Sequence, residues 1–276
     1  MEVTNQLRIL SVLTILSIIG LTACDVSQNE QTSTLQVKLT DAPAAYDAVW
    51  VDVQSVRIHQ NQTAETDAEQ NNQEAEANGW ITIMDQPQRI NLLTLRNGNE
   101  ITLGSAELEP GTYSQLRFML GSDNEVVIDG EPRQLITPGQ QQSGTKLNIN
   151  ATVEEGQTYT LLVDFDAARS IVETGNGRFI LIPVLRAANL SETGSIAGSV
   201  SPSEIQTNVL ATNEDDTLST LTDAAGSFTI MGVAPGSYTV EYRPAGDQYL
   251  NSKVTGVEVE SGQTTSLETF DLEPAN

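Results

Sequence analysis

The sequence predicts an all-β chain of two antiparallel β-sandwich-type domains behind a lipoprotein signal peptide. Apolar residues alternate with a period of two along many short stretches, and Pro-Gly, Asp-Gly, Glu-Gly and Asn-Gly pairs interrupt them at short intervals. Helical periodicity is scarce, which points away from mixed α/β layouts.

The N-terminus carries Arg8 and then an apolar run from Ile9 to Ala23, interrupted by Ser11, Thr14, Ser17, Gly20 and Thr22. A charged start before a short hydrophobic segment is the layout of a secretory signal, and the run is short for a spanning helix. It ends in Leu21-Thr22-Ala23-Cys24, which resembles the bacterial lipobox, in which the cysteine is acylated and becomes the new N-terminus. Cys24 is the only cysteine of the chain, and acylation accounts for an odd thiol in an exported protein. Residues 1–23 are therefore expected to be the signal peptide, and 24–33 an acylated polar tether. Two or three acyl chains would make attachment to a membrane effectively permanent. The expected location is the bacterial cell envelope, on the outer membrane or the periplasmic face of the inner membrane. Asp25 resembles an inner-membrane retention signal of enteric bacteria, and the leaflet is left open.

The formal net charge is -24, with only three lysines, Lys38, Lys146 and Lys253. Nucleic acid would repel such a polyanion, so DNA and RNA are excluded as partners. With no second cysteine, no disulfide within the chain can staple either domain, and each must rest on its own core.

Alternation begins at Leu35, Val37 and Leu39 and returns at Val49, Val51 and Val53. Residues 61–78 hold Gln, Asn, Glu and Ala without a large apolar side chain, and are expected to form a mobile insertion. Strands are then expected at 80–83, 90–95, 101–108, 113–120, 125–128, 146–153, 159–165 and 179–185, with Asn97-Gly98 as a hairpin turn. Residues 34–188 make up the first domain, 189–193 a linker and 194–272 the second domain, with expected strands at 195–200, 207–212, 218–222, 226–231, 236–242, 253–259 and 264–272. Leu108-Glu109-Pro110-Gly111-Thr112-Tyr113 is echoed by Val233-Ala234-Pro235-Gly236-Ser237-Tyr238, in each case a Pro-Gly turn feeding a strand that opens on tyrosine.

Gly194-Ser195-Ile196-Ala197-Gly198-Ser199-Val200, Thr222 to Phe228 and Val233 to Val240 resemble the carboxypeptidase regulatory-like domain, a transthyretin-type sandwich. That resemblance implies a non-catalytic accessory module with a carbohydrate-binding-like fold. Leu39-Thr40-Asp41-Ala42-Pro43, Pro110 to Arg117 and Leu162 to Ser170 resemble three blocks of an uncharacterised bacterial lipoprotein domain family. The resemblance implies an envelope lipoprotein and assigns no activity.

His59 is the only histidine, so histidine triads and polyhistidine metal sites are ruled out, and its place after Val56 and Ile58 reads as a strand-end surface residue. No phosphate loop, nucleophile elbow or His-Glu-x-x-His stretch is present. No catalytic residue is expected. Asp164 and Asp166, two apart on a strand, would share a face and could with Asp41 offer oxygen ligands to Ca²⁺; alternatively one caps the next turn and the other pairs with Arg169. Apart from Ca²⁺, no cofactor is expected. Trp50, Trp80, Tyr242 and Tyr249 are the candidate sugar platforms, with core packing as the alternative for each. The expected function is a non-enzymatic binding or scaffold lipoprotein that displays its two modules to a glycan, for which the C-terminal domain is the candidate, to a peptide or to a partner protein. A structural component that binds an envelope protein through an edge strand is the second reading, and an acid-pair hydrolase the third.

Overall fold

The computed structural model describes residues 32–60, 79–139 and 144–275. The signal peptide, Cys24 and the insertion expected at 61–78 lie outside the described residues. The described residues belong to one compact unit.

The all-β expectation is met. In chain order the first half contributes β1 (Ser33–Asp41), β2 (Ala48–Gln60), β3 (Trp80–Met84), β4 (Gln88–Asn91), β5 (Ile101–Leu108), β6 (Gly111–Leu120) and β7 (Glu125–Ile128). It continues with β8 (Glu131–Ile136), β9 (Thr145–Val153), β10 (Thr158–Phe165), the helical turn α1 (Ala167–Ser170), β11 (Ile171–Glu173), β12 (Phe179–Leu181) and β13 (Leu185–Asn189). One sheet runs β13-β10-β1-β5, and a larger one runs β11-β12-β8-β7-β2-β6-β9, with β3 and β4 also paired to β2.

Alternation decides which faces meet. Leu35, Val37 and Leu39 on β1 and Val49, Val51, Val56 and Ile58 on β2 are fully buried, while their sequence neighbours stay half-exposed. Each such aliphatic side chain contributes about 1.5–3 kcal/mol on burial. These residues, with Leu116, Phe118, Val163 and Phe165, form the first core between the sheets.

The second half contributes β14 (Gly194–Ser201), β15 (Thr207–Thr212), β16 (Thr217–Leu221), β17 (Ser227–Val233), β18 (Gly236–Pro244), β19 (Ser252–Val259), β20 (Thr264–Ser266) and β21 (Phe270–Asp271). They form a β17-β14-β20 sheet, with β21 also on β14, and a β16-β15-β18-β19 sheet. The second core, with Ile196, Val209, Phe228, Tyr238, Val240 and Tyr242, lies between them and is separate from the first.

Several expectations needed correction. Both halves contain parallel pairs, β1 with β10 and β14 with β20 and β21, made possible by the long stretches of chain between the partners. The strand expected at 90–95 stops at Asn91, whose side-chain oxygen accepts from Leu93 N and Val49 N and starts a 3-10 turn over Leu92–Leu95. β8 and β11 were not anticipated, and 264–272 divides into β20 and β21. Within the linker stretch 189–193, Asn189 accepts from Ser191 N through its side chain and from Thr193 N through its carbonyl. Asn97 and Gly98 do form a turn, with φ of 59° and 76°, yet the flanking strands β4 and β5 pair with β2 and β1 rather than with each other.

The echoed Pro-Gly-x-Tyr segments open β6 and β18, and Tyr113 and Tyr238 are both buried. Their hydroxyls differ. Tyr113 donates to the Glu109 carbonyl at 2.9 Å, whereas the buried hydroxyl of Tyr238 has no partner. Tyr113→Phe is therefore expected to cost about 1 kcal/mol, and Tyr238→Phe to be neutral or slightly stabilising. Urea midpoints of the two variants check this; an equal loss in both would contradict it.

Candidate functional site

Because β1 and β10 are parallel, their C-terminal ends emerge on the same side, with Thr40 opposite Asp164 and Asp41 opposite Phe165. Asp41 is the last inward position of β1 and is only 5% exposed. Its Oδ1 accepts from Ala167 N at 3.1 Å, and its Oδ2 is buried without a partner. Two of the blocks noted in the sequence thus meet in space, Leu39–Pro43 through Asp41 and Leu162–Ser170 through Ala167.

Asp164, opposite Thr40, lies beside the second half. Its Oδ2 lies 3.8 Å from Arg186, whose guanidinium donates to the Gly232 carbonyl at 3.0 Å and lies 3.7 Å from Asp216. Its Oδ1, like Asp41 Oδ2, is buried and unpartnered. Gly232 is held at φ 66°, and a Cβ there would press on Ala188 and Leu162, so glycine allows the close approach of β17 to β10 and β13.

Asn97 completes the seam between the halves. Its Oδ1 accepts from Thr229 N at 2.6 Å, its Nδ2 donates to the Ser227 carbonyl at 3.1 Å, and its backbone N donates to Thr220 Oγ1 at 3.1 Å. One side-chain amide therefore pairs with β17 as a neighbouring strand would. Asp41, Asp164, Asn97, Ser219, Thr220 and Thr229 are among the residues around a cavity of about 20 Å³, room for one water or ion and far too small for a sugar ring.

The electrostatics follow from burial. Desolvation pushes the Asp41 carboxyl up to about 8; the hydrogen bond from Ala167 and the charge of Arg96 oppose this, and Asp164 and Asp166 add to it. Burial likewise raises Asp164, against the pull of Arg186 and with repulsion from Asp166 and Asp216. The neutral acid is thus the favoured form of Asp41 at pH 7 when nothing else compensates the charge.

Asp166 is used differently from the ligand role expected of it. Its Oδ1 accepts from Arg169 N at 2.8 Å as the cap of α1, and its Oδ2 lies 3.8 Å from Arg169. One residue thus performs both the capping and the pairing that the sequence divided between two. Among the described residues, no group of three His, Cys, Asp or Glu side chains is placed to hold a metal ion.

The four aromatic candidates are not brought together as an open platform. Tyr242 is 1% exposed in the second core, edge-on to Phe228 and stacked on Phe270 at 4.1 Å, and so has no face for a sugar. Tyr249 packs against the same core and pairs with Pro274. Trp50 lies under Arg89 at 4.7 Å. Trp80 has the Arg117 guanidinium 4.3 Å and that of Arg57 5.9 Å from its ring centre, with His59 at its edge. Burial and the charge of Arg117 lower the His59 pKa, favouring the neutral imidazole.

One surface feature escaped the sequence reading. Val172 on β11, Ile180 on β12 and Ile136 on β8 are cross-strand neighbours on one face, and Ile182 follows two residues after Ile180. Val172 and Ile136 are each 43% exposed and Ile182 54%, and β11 is the end strand of its sheet. No signal short of the β8-β12 pairing could have brought Ile136 next to Ile180, 44 residues later in the chain.

Comparison with known proteins follows the same division of the chain. Residues 202–273 match the carboxypeptidase regulatory-like domain. No curated protein matches the chain. Among solved structures, a type II cohesin–X-dockerin complex from Acetivibrio cellulolyticus is 23% identical over 29% of this chain and 56% of its own, with a TM-score of 0.23. This chain thus aligns with little more than half the length of that relative. The minor pilin GBS52 of Streptococcus agalactiae is 11% identical over 87% of this chain and 96% of its own, with a TM-score of 0.22. The Bacillus anthracis TIE protein is 13% identical over 90% and 41%, with a TM-score of 0.25. Residues 32–183, more than half of the chain, match the family described as a domain of unknown function, DUF4382, and the chain belongs to that family.

Proposed function

We propose that this chain is a non-enzymatic scaffold lipoprotein of the bacterial envelope, anchored through acylated Cys24, that recruits a protein partner at the β8-β12-β11 corner. The observation that carries this reading is the apolar row Ile136, Ile180 and Val172 with Ile182, beside the open edge of β11. In a chain of net charge -24, an exposed aliphatic face next to an unpaired strand edge suits a partner that adds a strand and buries its own apolar side chains.

The protein-partner reading is favoured over a glycan because each candidate platform is buried or already packed. Tyr242 is in the core, Arg89 lies over Trp50 and Arg117 over Trp80. The hydrolase reading has little support, since the two carboxylates that each keep one buried oxygen without a partner line a cavity that admits no sugar.

A photo-crosslinking amino acid placed at Val172 or Ile182 of the anchored protein in intact cells tests the reading, with Glu204 as the exposed control position. The expected result is a discrete adduct from the corner positions only, lost when Ile136 and Ile180 are changed to serine. Equal or absent adducts at corner and control would refute the partner site. Cys24→Ser is expected to move the protein out of the membrane fraction and abolish palmitate labelling; unchanged labelling would refute the anchor.

A further inference from the structure

We propose that the cavity in the seam is a binding site for a hard divalent cation, with Asp41 Oδ2 and Asp164 Oδ1 as anionic ligands. Both oxygens are buried without a partner and belong to side chains that line the same cavity of about 20 Å³. Asp41 is 5% exposed and is among the residues that line the cavity, so its unpartnered oxygen is kept from bulk water beside that space.

The surroundings supply the rest of a hard-cation site. Asn97, Ser219, Thr220 and Thr229 are among the residues around the cavity, with Met231, and no imidazole or thiol is among the lining groups. All-oxygen donor sets suit Ca²⁺ or Mg²⁺ rather than softer metals. Asp166 and Asp216 add negative potential, partly offset by Arg96 and Arg186. Two carboxylates and neutral oxygens make a weak site, with Kd of about 10⁻⁴–10⁻³ M, in the range of extracellular calcium modules.

Position gives the site a consequence. Asp41 and Asp164 come from the first half, whereas Ser219, Thr220 and Thr229 come from the second. A cation there is held only while the halves are docked, so it acts as a latch on the seam that Asn97 and Arg186 already bridge.

The test uses the full mature chain in detergent, stripped with chelator and titrated calorimetrically with CaCl₂ and MgCl₂ at pH 7.5, alongside thermal unfolding. The expected result is one equivalent of bound ion, with a rise in Tm of about 5 °C at saturation. Asp41→Asn and Asp164→Asn abolish both, whereas Glu204→Gln, at an exposed position of the second half outside the cavity lining, leaves binding within about twofold. Circular dichroism identical to the parent establishes that the asparagine variants are folded. No heat and no change in Tm with either ion would overturn the proposal, as would binding that persists in the Asp41→Asn, Asp164→Asn double variant.

Discussion

Asp41→Asn is expected to remove most of the pH dependence of ion-free stability between about pH 4 and pH 8, and to leave the chain more stable than the parent at pH 8. The folded carboxyl sits at about 8 against an ordinary value of 3.8, so between these limits the folded state holds the extra proton. Stability from the neutral acid is complete below the lower value and is lost progressively as pH rises through the upper one, amounting to a few kcal/mol by about pH 8. Asp164 works in the same direction, while Arg96 and Arg186 oppose it and Asp166 and Asp216 reinforce it. Asparagine copies the neutral acid in shape and can still accept from Ala167 N. Urea midpoints at pH 5, 6.5 and 8 in chelator decide the matter. A parent whose stability is flat or rising with pH, or a variant that runs parallel to it, would show that Asp41 is ionised in the folded chain.

The fold was legible where one side chain in two had to be buried. Leu35, Val37 and Leu39 in β1 and Val49, Val51 and Val53 in β2 announce both the strand and its inward face, and all are buried. Legibility failed where the deciding partner is distant in sequence. Ile90 to Leu95 has the composition of a strand, yet Asn91 captures two backbone N–H groups and turns the chain. Asn97-Gly98 has the sequence of a hairpin turn, yet its amide is spent on β17, more than 120 residues away. For the candidate site, Asp41 and Asp164 were picked out by residue type, but their meeting at one cavity depends on the parallel β1-β10 register, which no local pattern encodes. Asp166 was drawn into the same set by its spacing, although the strand expected at 159–165 ends one residue before it and the capping alternative fits what the structure has.

Tyr242→Ala is expected to unfold the second half while leaving the first largely intact. Tyr242 joins Phe228, edge-on at 6.0 Å, to Phe270, stacked at 4.1 Å, in the middle of the second core. Truncating a fully buried aromatic leaves a cavity and costs about 3–5 kcal/mol, with the lost ring contacts adding about 0.5–1.5 kcal/mol. That core shares no residue with the first, and the two halves meet through Asn97, Arg186 and the small Leu162–Ala188–Gly232 contact. A loss of this size is therefore concentrated on one side of the seam. Both tryptophans, Trp50 and Trp80, belong to the first half, so their emission reports on that half alone. In the variant, hydrogen exchange should accelerate across β15, β18 and β19, whereas tryptophan emission keeps its folded maximum to nearly the parent temperature. Joint loss of both signals at one lowered midpoint would mean that the seam couples the halves more strongly than either core holds itself.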